Sequence, residues 1–425
     1  MPNTSFADCS KLILPDLDQL ARQTQLVQRQ SYKFTPHGFL CSLLQSVTTG
    51  MGSLNQIAGQ LHERTGFAMA RQSLHERFSK KSTAFLLKTL GELMEQRYKP
   101  ATEGLIGGQI RRLVIEDSSS LRLPKSNAKH FPAHGNDCGE TAGVKIDFTY
   151  DLLTGNMITH TLELATTQDK SIGKETLIET QSGDLFLRDM GYFCLSEFCE
   201  IEKRNAYWLT RLPLTTNVFF NNGKDLEKLL RNPKSDLLDL DVEVGNEYKN
   251  CRLIAVRASE EVTRKRRRER RKKAKEQGKK TCAKALIRDG WHIMLTNLTT
   301  QQASASQLTK LYAARWAVEI QFRAWKQSLN LAKALNRKSQ EHHLQALVLA
   351  GMIAHQLGMK IGGLLVGQMG FDRLSFEKLY DILSSQLLNL TKLTDACDFS
   401  PNLRHITRDK RKRKSPVVSA IIALT

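Results

Sequence analysis

"RRLVIEDSSSLRLP" (residues 111–124) is where the chain changes its period. Before it, residues 10–100 repeat apolar side chains at i, i+3 and i+4 and hold few strand signals, which predicts helices. Within it, a short β-branched run ends in Asp117 and the turn-forming Ser118 to Ser120, which predicts a strand with a carboxylate at its end. Downstream, "VKIDFTY" and "NMITHTLELAT" flank the turn "DLLTGN" and read as two paired strands. A helical stretch near 172–181 precedes "DLFLRDMGYF", a fourth strand ending at Asp189 and Gly191. The helix "LSEFCEIEKR" and a fifth strand "AYWLTRLP" follow. Three strands, a helix, a strand, a helix and a strand is the order of an α/β ribonuclease-H-like fold. The strand order is complete by about 213, and "NVFF", "LDVEV", "CRLIAV" and "WHIMLTNL" then predict a β-rich insertion. The expected organisation is a helical region over 1–100, a core over 101–213 and 301–370, an insertion over 214–300, and a C-terminal helical region with a basic tail over 371–425.

With 425 residues and 40% hydrophobic side chains, the chain can bury a core across two or three domains. A formal charge of +20 favours a polyanionic partner, with nucleic acid foremost. Eight scattered cysteines with no CxxC pair and no secretory signal argue against a disulfide framework and a zinc site, and for a reducing cytoplasm. The apolar run "LQALVLAGMIAHQLGMKIGGLLVG" is interrupted by His355, Gln356 and Lys360, so it reads as one or two buried helices rather than a membrane span. "SLNQIAGQLHERTGFAMARQSLHERFSKK" has a helix, a turn near Gly66 and a second helix with Arg71, Gln72, His75, Arg77, Lys80 and Lys81. That pattern fits a helix-turn-helix and equally an ordinary helical hairpin with a basic face. "RKRRRERRKKAKEQGKK" carries 12 basic residues in 17, which reads as a solvated helix or loop that meets phosphate. Arg266, Arg267, Arg268, Arg270 and Arg271 are the candidate DNA contacts.

"LYAARWAVEIQFRAWKQSL" (311–329) carries Tyr312, Arg315, Glu319 and Lys326 within about a sixth of the helical circumference, at roughly 100° per residue. Apolar groups fill the other faces, Trp316 and Trp325 among them. This is a core helix looking into a polar site, or else an Arg315/Glu319 pair on a solvated face. In the core fold the first and fourth strands are neighbours, so Asp117 and Asp189 converge and the helix brings in Glu319. Three hard oxygen ligands suit two Mg²⁺ ions, with Mn²⁺ as substitute, for in-line displacement at phosphorus. Glu116, Asp147 and Asp151 read as edge or turn residues. His342 and His343 read as surface residues.

Tyr312-x2-Arg315-x3-Glu319-x6-Lys326 matches the Tyr-Arg-Glu-Lys signature of bacterial DDE transposases of insertion sequence family four. "DSSSLRLP" and "RDMGYF" resemble that family's two aspartate motifs, and "WLTRLP" and "HIMLTNL" are similar to its flanking strands. The likeness covers about 110–360. It implies that Asp117, Asp189 and Glu319 hold metal and that Tyr312, Arg315 and Lys326 contact the strand at the element's end. Met190 stands where the family often has a basic residue, and no aromatic matches a base-flipping role. The implied function is a transposase that binds terminal inverted repeats, cleaves the ends and joins their 3′-hydroxyls to target DNA. Its expected partners are double-stranded DNA and a second copy in the synaptic complex, with no membrane and no small-molecule substrate, in a bacterial cytoplasm at the nucleoid. The alternatives are a catalytically silent DNA-binding regulator and a hydrolytic nuclease of the same fold.

Overall fold

The computed structural model describes residues 15–95 except 30, 109–152 except 137–138, 157–168, 177–315 except 221–224 and 246–247, and 330–369 except 337–338, with 375, 378–379, 381–382 and 405 besides. The elements begin with α1 (Leu17–Gln23), α2 (Pro36–Thr49), α3 (Leu54–Thr65), α4 (Arg71–Arg77) and α5 (Lys80–Glu95). Next come β1 (Arg112–Leu123), β2 (Pro132–Asn136), β3 (Gly139–Asp151), β4 (Met157–Leu164) and β5 (Asp184–Arg188). Then follow α6 (Leu195–Lys203), β6 (Tyr207–Arg211), β7 (Val218–Phe219), α7 (Leu226–Arg231), β8 (Leu237–Val244) and β9 (Tyr248–Arg257). The last are α8 (Glu260–Glu276), α9 (Ala283–Arg288), β10 (Trp291–Thr296), α10 (Ala305–Ala314), α11 (Leu331–Leu335) and α12 (Glu341–Met369). Two compact units divide the chain. One holds 1–101, 118–167 and 317–418, and the other 102–117, 168–316 and 419–425.

The first unit is helical with a small antiparallel sheet. Thr35 caps α2 by accepting from Gly38 N, Pro36 presets its first turn, and Gly50 at φ 73° closes it. Ser53 and Gln56 form a capping box that starts α3, and Gly66 at φ 75° ends it. The two helices expected over "SLNQIAGQLHERTGFAMARQSLHER" are therefore present, the second as a short element of seven residues. α12 packs against α2 and α5. The run around His355 is one 29-residue helix, and the window of it that is long and apolar enough to cross a membrane is 89% buried within the protein. β3 pairs antiparallel with both β2 and β4, Ile146 opposite Leu162. β2 had no counterpart among the expected strands. Of the helix expected near 172–181, residues 171–176 lie outside the described part and Leu177–Glu179 form a single 3₁₀ turn.

In the second unit the sheet runs β1-β5-β6-β10-β9-β8-β7. β1, β5 and β6 are parallel, and β10, β9, β8 and β7 add antiparallel to one another, β10 also antiparallel to β6. The parallel pairing is built from apolar runs buried on both faces, Leu113 to Ile115 and Leu185 to Leu187. α6 covers one face: Phe198 stacks on Trp208 of β6 with ring centroids 4.3 Å apart and planes at 12°. Burying such a ring contributes about 1.5–3 kcal/mol.

One expectation fails in the first strand. β1 continues through Ser118 to Ser120 to Leu123, so Asp117 lies inside a long strand rather than at its end. Leu121 and Leu123 are buried while Ser120 and Arg122 are exposed, a period-two pattern that a strand with one covered face requires. Four consecutive buried residues, Leu113 to Glu116, give way at Asp117 to partly open positions. The carboxylate therefore stands where the strand's double-sided cover stops.

Candidate active site

Register places the two aspartates. The parallel pairing of β1 with β5 runs from Arg112↔Asp184 to Glu116↔Arg188, with Ile115 opposite Leu187. Residues two apart on a strand share a face, so Asp117 and Asp189 both follow the Ile115/Leu187 face, one step beyond the last pair. Asp117 keeps 20% of its side chain exposed. On the opposite face, Arg188 Nε lies 2.7 Å from Glu116 Oε2 and Arg188 Nη1 lies 2.6 Å from Glu197 Oε2. Glu116 and Arg188 are fully buried. Glu116 is thus no edge residue but half of an interior ion pair, because Arg188 sits opposite it in register. Asp147, within β3, and Asp151, its last residue, are likewise buried, at 1% and 2% exposure, rather than lying on an open margin.

α10 brings the other polar groups. Ser304 starts it through a capping box with Gln307, and Arg315 closes the described helix. Tyr312 Oη donates to the Arg188 carbonyl oxygen at 3.3 Å, and Arg315 Nη1 lies 3.7 Å from Asp117 Oδ2. The Arg211 guanidinium, on β6, stands 5.4 Å from the centre of the Tyr312 ring. Burial pushes the Tyr312 phenol up to about 12 against the pull of Arg315 and Arg211, with Asp189 adding to the rise. The phenol is a neutral donor at any ordinary pH. Asp117, Asp189, Tyr312 and Arg315 are thus brought to one neighbourhood of the second unit. Glu319 and Lys326, with Trp316 and Trp325, lie outside the described residues.

A cleft of about 650 Å³ opens beside this neighbourhood, lined among others by Met190, Arg211, Arg266, Arg270, Lys273 and His292. Burial, then Arg266 and Arg211, hold the His292 imidazole down to about 4, so it is neutral there. The basic run forms α8, and its arginines divide. Arg266 donates to the carbonyls of Asp289 and Trp291, Arg267 to that of Leu286, and Arg270 makes a two-pronged bond to Asp289 at 2.7 and 2.6 Å. Arg268 and Arg271 face outward. The expectation of a wholly solvated run is corrected on that inner side: carbonyls and a carboxylate from the segment 286–291 take up three of the five guanidinium groups. His343 also departs from expectation. It is buried at 3% and packs on the Phe78 ring at 4.5 Å, while His342 lies within 3.0 Å of Gln345 Oε1.

The donor set fits a hard divalent cation. Two carboxylates leave adjacent strands on one face with an open side, and oxygen donors of that kind suit Mg²⁺ or Mn²⁺. Among the described residues no three carboxylate, imidazole or thiol groups gather as a metal site, and the third expected ligand, Glu319, is not among those residues. The described cysteines, Cys41, Cys194, Cys199, Cys251 and Cys282, are free thiols. Sequence reasoning passed over Arg188, Glu197 and Arg211. The signal was present as a charge closing the otherwise apolar run "LFLR", since a cation at the end of a buried strand needs an acceptor.

Comparison with known proteins shows the family. Residues 108–357 match the model of the transposase DDE domain. The chain is 28% identical over 362 residues to the transposase for insertion sequence element IS231E of Bacillus thuringiensis subsp. finitimus, covering 79% of this chain and 75% of that one. It is 26% identical over 386 residues to the IS231F transposase of B. thuringiensis subsp. israelensis, covering 84% and 80%. Against the IS1151 transposase of Clostridium perfringens it is 22% identical over 334 residues, covering 73% and 70%. Among solved structures, the piggyBac transposase synaptic complex with hairpin DNA matches over 96% of this chain and 86% of that one, with a TM-score of 0.48 and 11% identity. The aspartates level on one face, the tyrosine and arginine beside them, and a family model spanning more than half the sequence place this chain among the DDE transposases of bacterial insertion sequences.

Proposed function

We propose that this transposase binds the terminal inverted repeats of its own element, cleaves the ends and joins their 3′-hydroxyls to target DNA. The observation that carries this reading is the in-register placement of Asp117 and Asp189, with Tyr312 and Arg315 at hand. Asp117 and Asp189, with Glu319 as the third ligand that the family signature implies, would hold two Mg²⁺ ions, for which Mn²⁺ would substitute. Divalent ions held there would supply charge for the attacking hydroxyl and the leaving oxygen of an in-line displacement at phosphorus. Arg315 and Lys326 grip phosphates of the element-end strand, Arg315 through its planar fork. Tyr312, neutral and tied to the Arg188 carbonyl, holds α10 against the end of β5, just before Asp189.

The fold we assign is a ribonuclease-H-like core over 101–213 and 301–370. A β-rich insertion over 214–300 carries the basic helix, a helical end-binding region occupies 1–100, and a helical region with a basic tail occupies 371–425. Arg266, Arg267, Arg268, Arg270 and Arg271 belong to the DNA-binding surface, with the outward pair Arg268 and Arg271 meeting phosphate directly. Two copies act together in the synaptic complex, in the cytoplasm at the nucleoid. Asp117→Ala, Asp189→Ala and Glu319→Ala are each expected to abolish cleavage and joining in Mg²⁺ while inverted-repeat binding stays near wild type. Cleavage surviving any one of them overturns the metal assignment, and a chain that binds ends but never cleaves them is a regulator instead.

A further inference from the structure

Two ion pairs of opposite polarity bracket the parallel pairing of β1 with β5. At the first pair Arg112 grips Asp184 through Nε and Nη2, each at 2.6 Å, and at the last Glu116 meets Arg188. Arg112, Val114 and Glu116 share a face with Asp184, Phe186 and Arg188. The next residue on each strand, on the other face, is Asp117 or Asp189. Arg188 has no exposed surface, binds Glu116 at 2.7 Å and Glu197 at 2.6 Å, lies over the Phe186 ring, and lends its carbonyl to Tyr312.

A guanidinium between two carboxylates in the interior is a costly way to hold strands together. Desolvation offsets much of the attraction, so well-packed apolar side chains of the same volume would serve stability about as well. Register is another matter. An apolar contact tolerates sliding, whereas a buried guanidinium that must keep one carboxylate at 2.7 Å and hydrogen-bond another at 2.6 Å does not. A one-residue slip would turn one aspartate to the wrong face, and a two-residue slip would leave the pair at different levels.

We propose that Arg188 is a positioning residue for the metal site: by bridging Glu116 and Glu197 it fixes the level at which Asp117 and Asp189 emerge and clamps both ends of the segment that carries Asp189. The proposal rests on Asp117 and Asp189 being metal ligands. Between Arg188 and Glu197 the chain makes one 3₁₀ turn at Met190–Tyr192 and enters α6. Tyr192 and Phe193 are buried, and Phe193 meets Phe198 edge-on at 5.4 Å. With the ion pair at one end and ring packing at the other, Asp189 has little freedom left to lose when a metal binds.

The test uses the full chain without DNA, with Mn²⁺ binding followed by the electron paramagnetic resonance of the free ion, alongside thermal unfolding and the Mn²⁺ concentration for half-maximal cleavage. In the triple variant Glu116→Leu, Arg188→Met and Glu197→Leu, unfolding is expected within a few degrees of wild type, while Mn²⁺ affinity falls about tenfold or more. Arg188→Lys, whose point charge cannot serve both carboxylates with a planar fork, falls between. Glu197→Gln, which still offers an oxygen to Arg188, stays near wild type. Wild-type Mn²⁺ affinity in the triple variant overturns the proposal; should that variant not fold, wild-type affinity in Glu197→Leu does so. Asp117→Asn separates the two claims. If it leaves Mn²⁺ binding intact, the metal reading has failed; if it weakens binding while the Arg188 variants do not, only the positioning role has.

Discussion

Arg315 stands 3.7 Å from Asp117, longer than a tight charge-assisted hydrogen bond, and only 14% of its side chain is exposed. A partner held that loosely can be exchanged for a phosphate. Arg315→Lys is therefore expected to leave unfolding stability within about 1 kcal/mol of wild type, since either cation satisfies an interaction of that kind. Cleavage at the element's end should fall at least tenfold, about 1.4 kcal/mol of transition-state stabilisation, because lysine lacks the two-pronged geometry. Thermal unfolding and cleavage measured on the same preparations check this, and a large loss of melting temperature with proportionate loss of activity would make the residue a prop of the fold. At this scale the shared neighbourhood of Asp117, Asp189, Tyr312 and Arg315 was legible, because each aspartate sits in a short motif and Tyr312 and Arg315 share a third. Glu116 was not. A carboxylate in a strand reads as an edge residue until its partner is known, and Arg188 lies far along the chain with nothing local to pair them.

α8 shows what period alone hides in a charge run. Read along the chain its positive charge is uniform, and only the fold divides it into Arg266, Arg267 and Arg270, held by the segment 286–291, and outward Arg268 and Arg271. The division is testable. Arg268→Gln with Arg271→Gln should leave stability unchanged and reduce the slope of log K against log salt by about 0.9 for each phosphate no longer neutralised. Arg270→Gln should instead destabilise by about 2 kcal/mol, because it strips the charged partner from Asp289, which is 5% exposed. Urea unfolding and DNA-binding titrations at several salt concentrations distinguish the two classes. Length was legible in "LVIEDSSS" only as far as Asp117. Serine fits a turn or a strand, and what decides for strand is pairing with β3, which local sequence does not contain.

For the molecule as a whole, acid sensitivity has an interior source. His355 on α12 is buried against the Phe148 ring at 5.3 Å, and burial pushes its imidazole down to about 3. The unfolded chain takes up this proton below about 6.5 and the folded one does not, so the contribution is whole above pH 6.5 and is lost as pH falls toward 3. The slope for one such proton is at most about 1.4 kcal/mol per pH unit. His355→Leu should flatten the fall in urea midpoint between pH 7 and pH 4, and an unchanged fall would place the acid sensitivity elsewhere. The pairing of β1 with β5 has a different consequence, one of timing. Arg112 and Asp184 are 72 residues apart, so the ribosome must deliver most of the second unit's parallel strands before the Leu113–Ile115 run finds its neighbour. Until then that run is an open apolar edge, of the sort that seeks other chains. Arg112 and Glu116 flank it, one charge at each end, so that the ions which later set the strands level first keep the unfinished edge solvated.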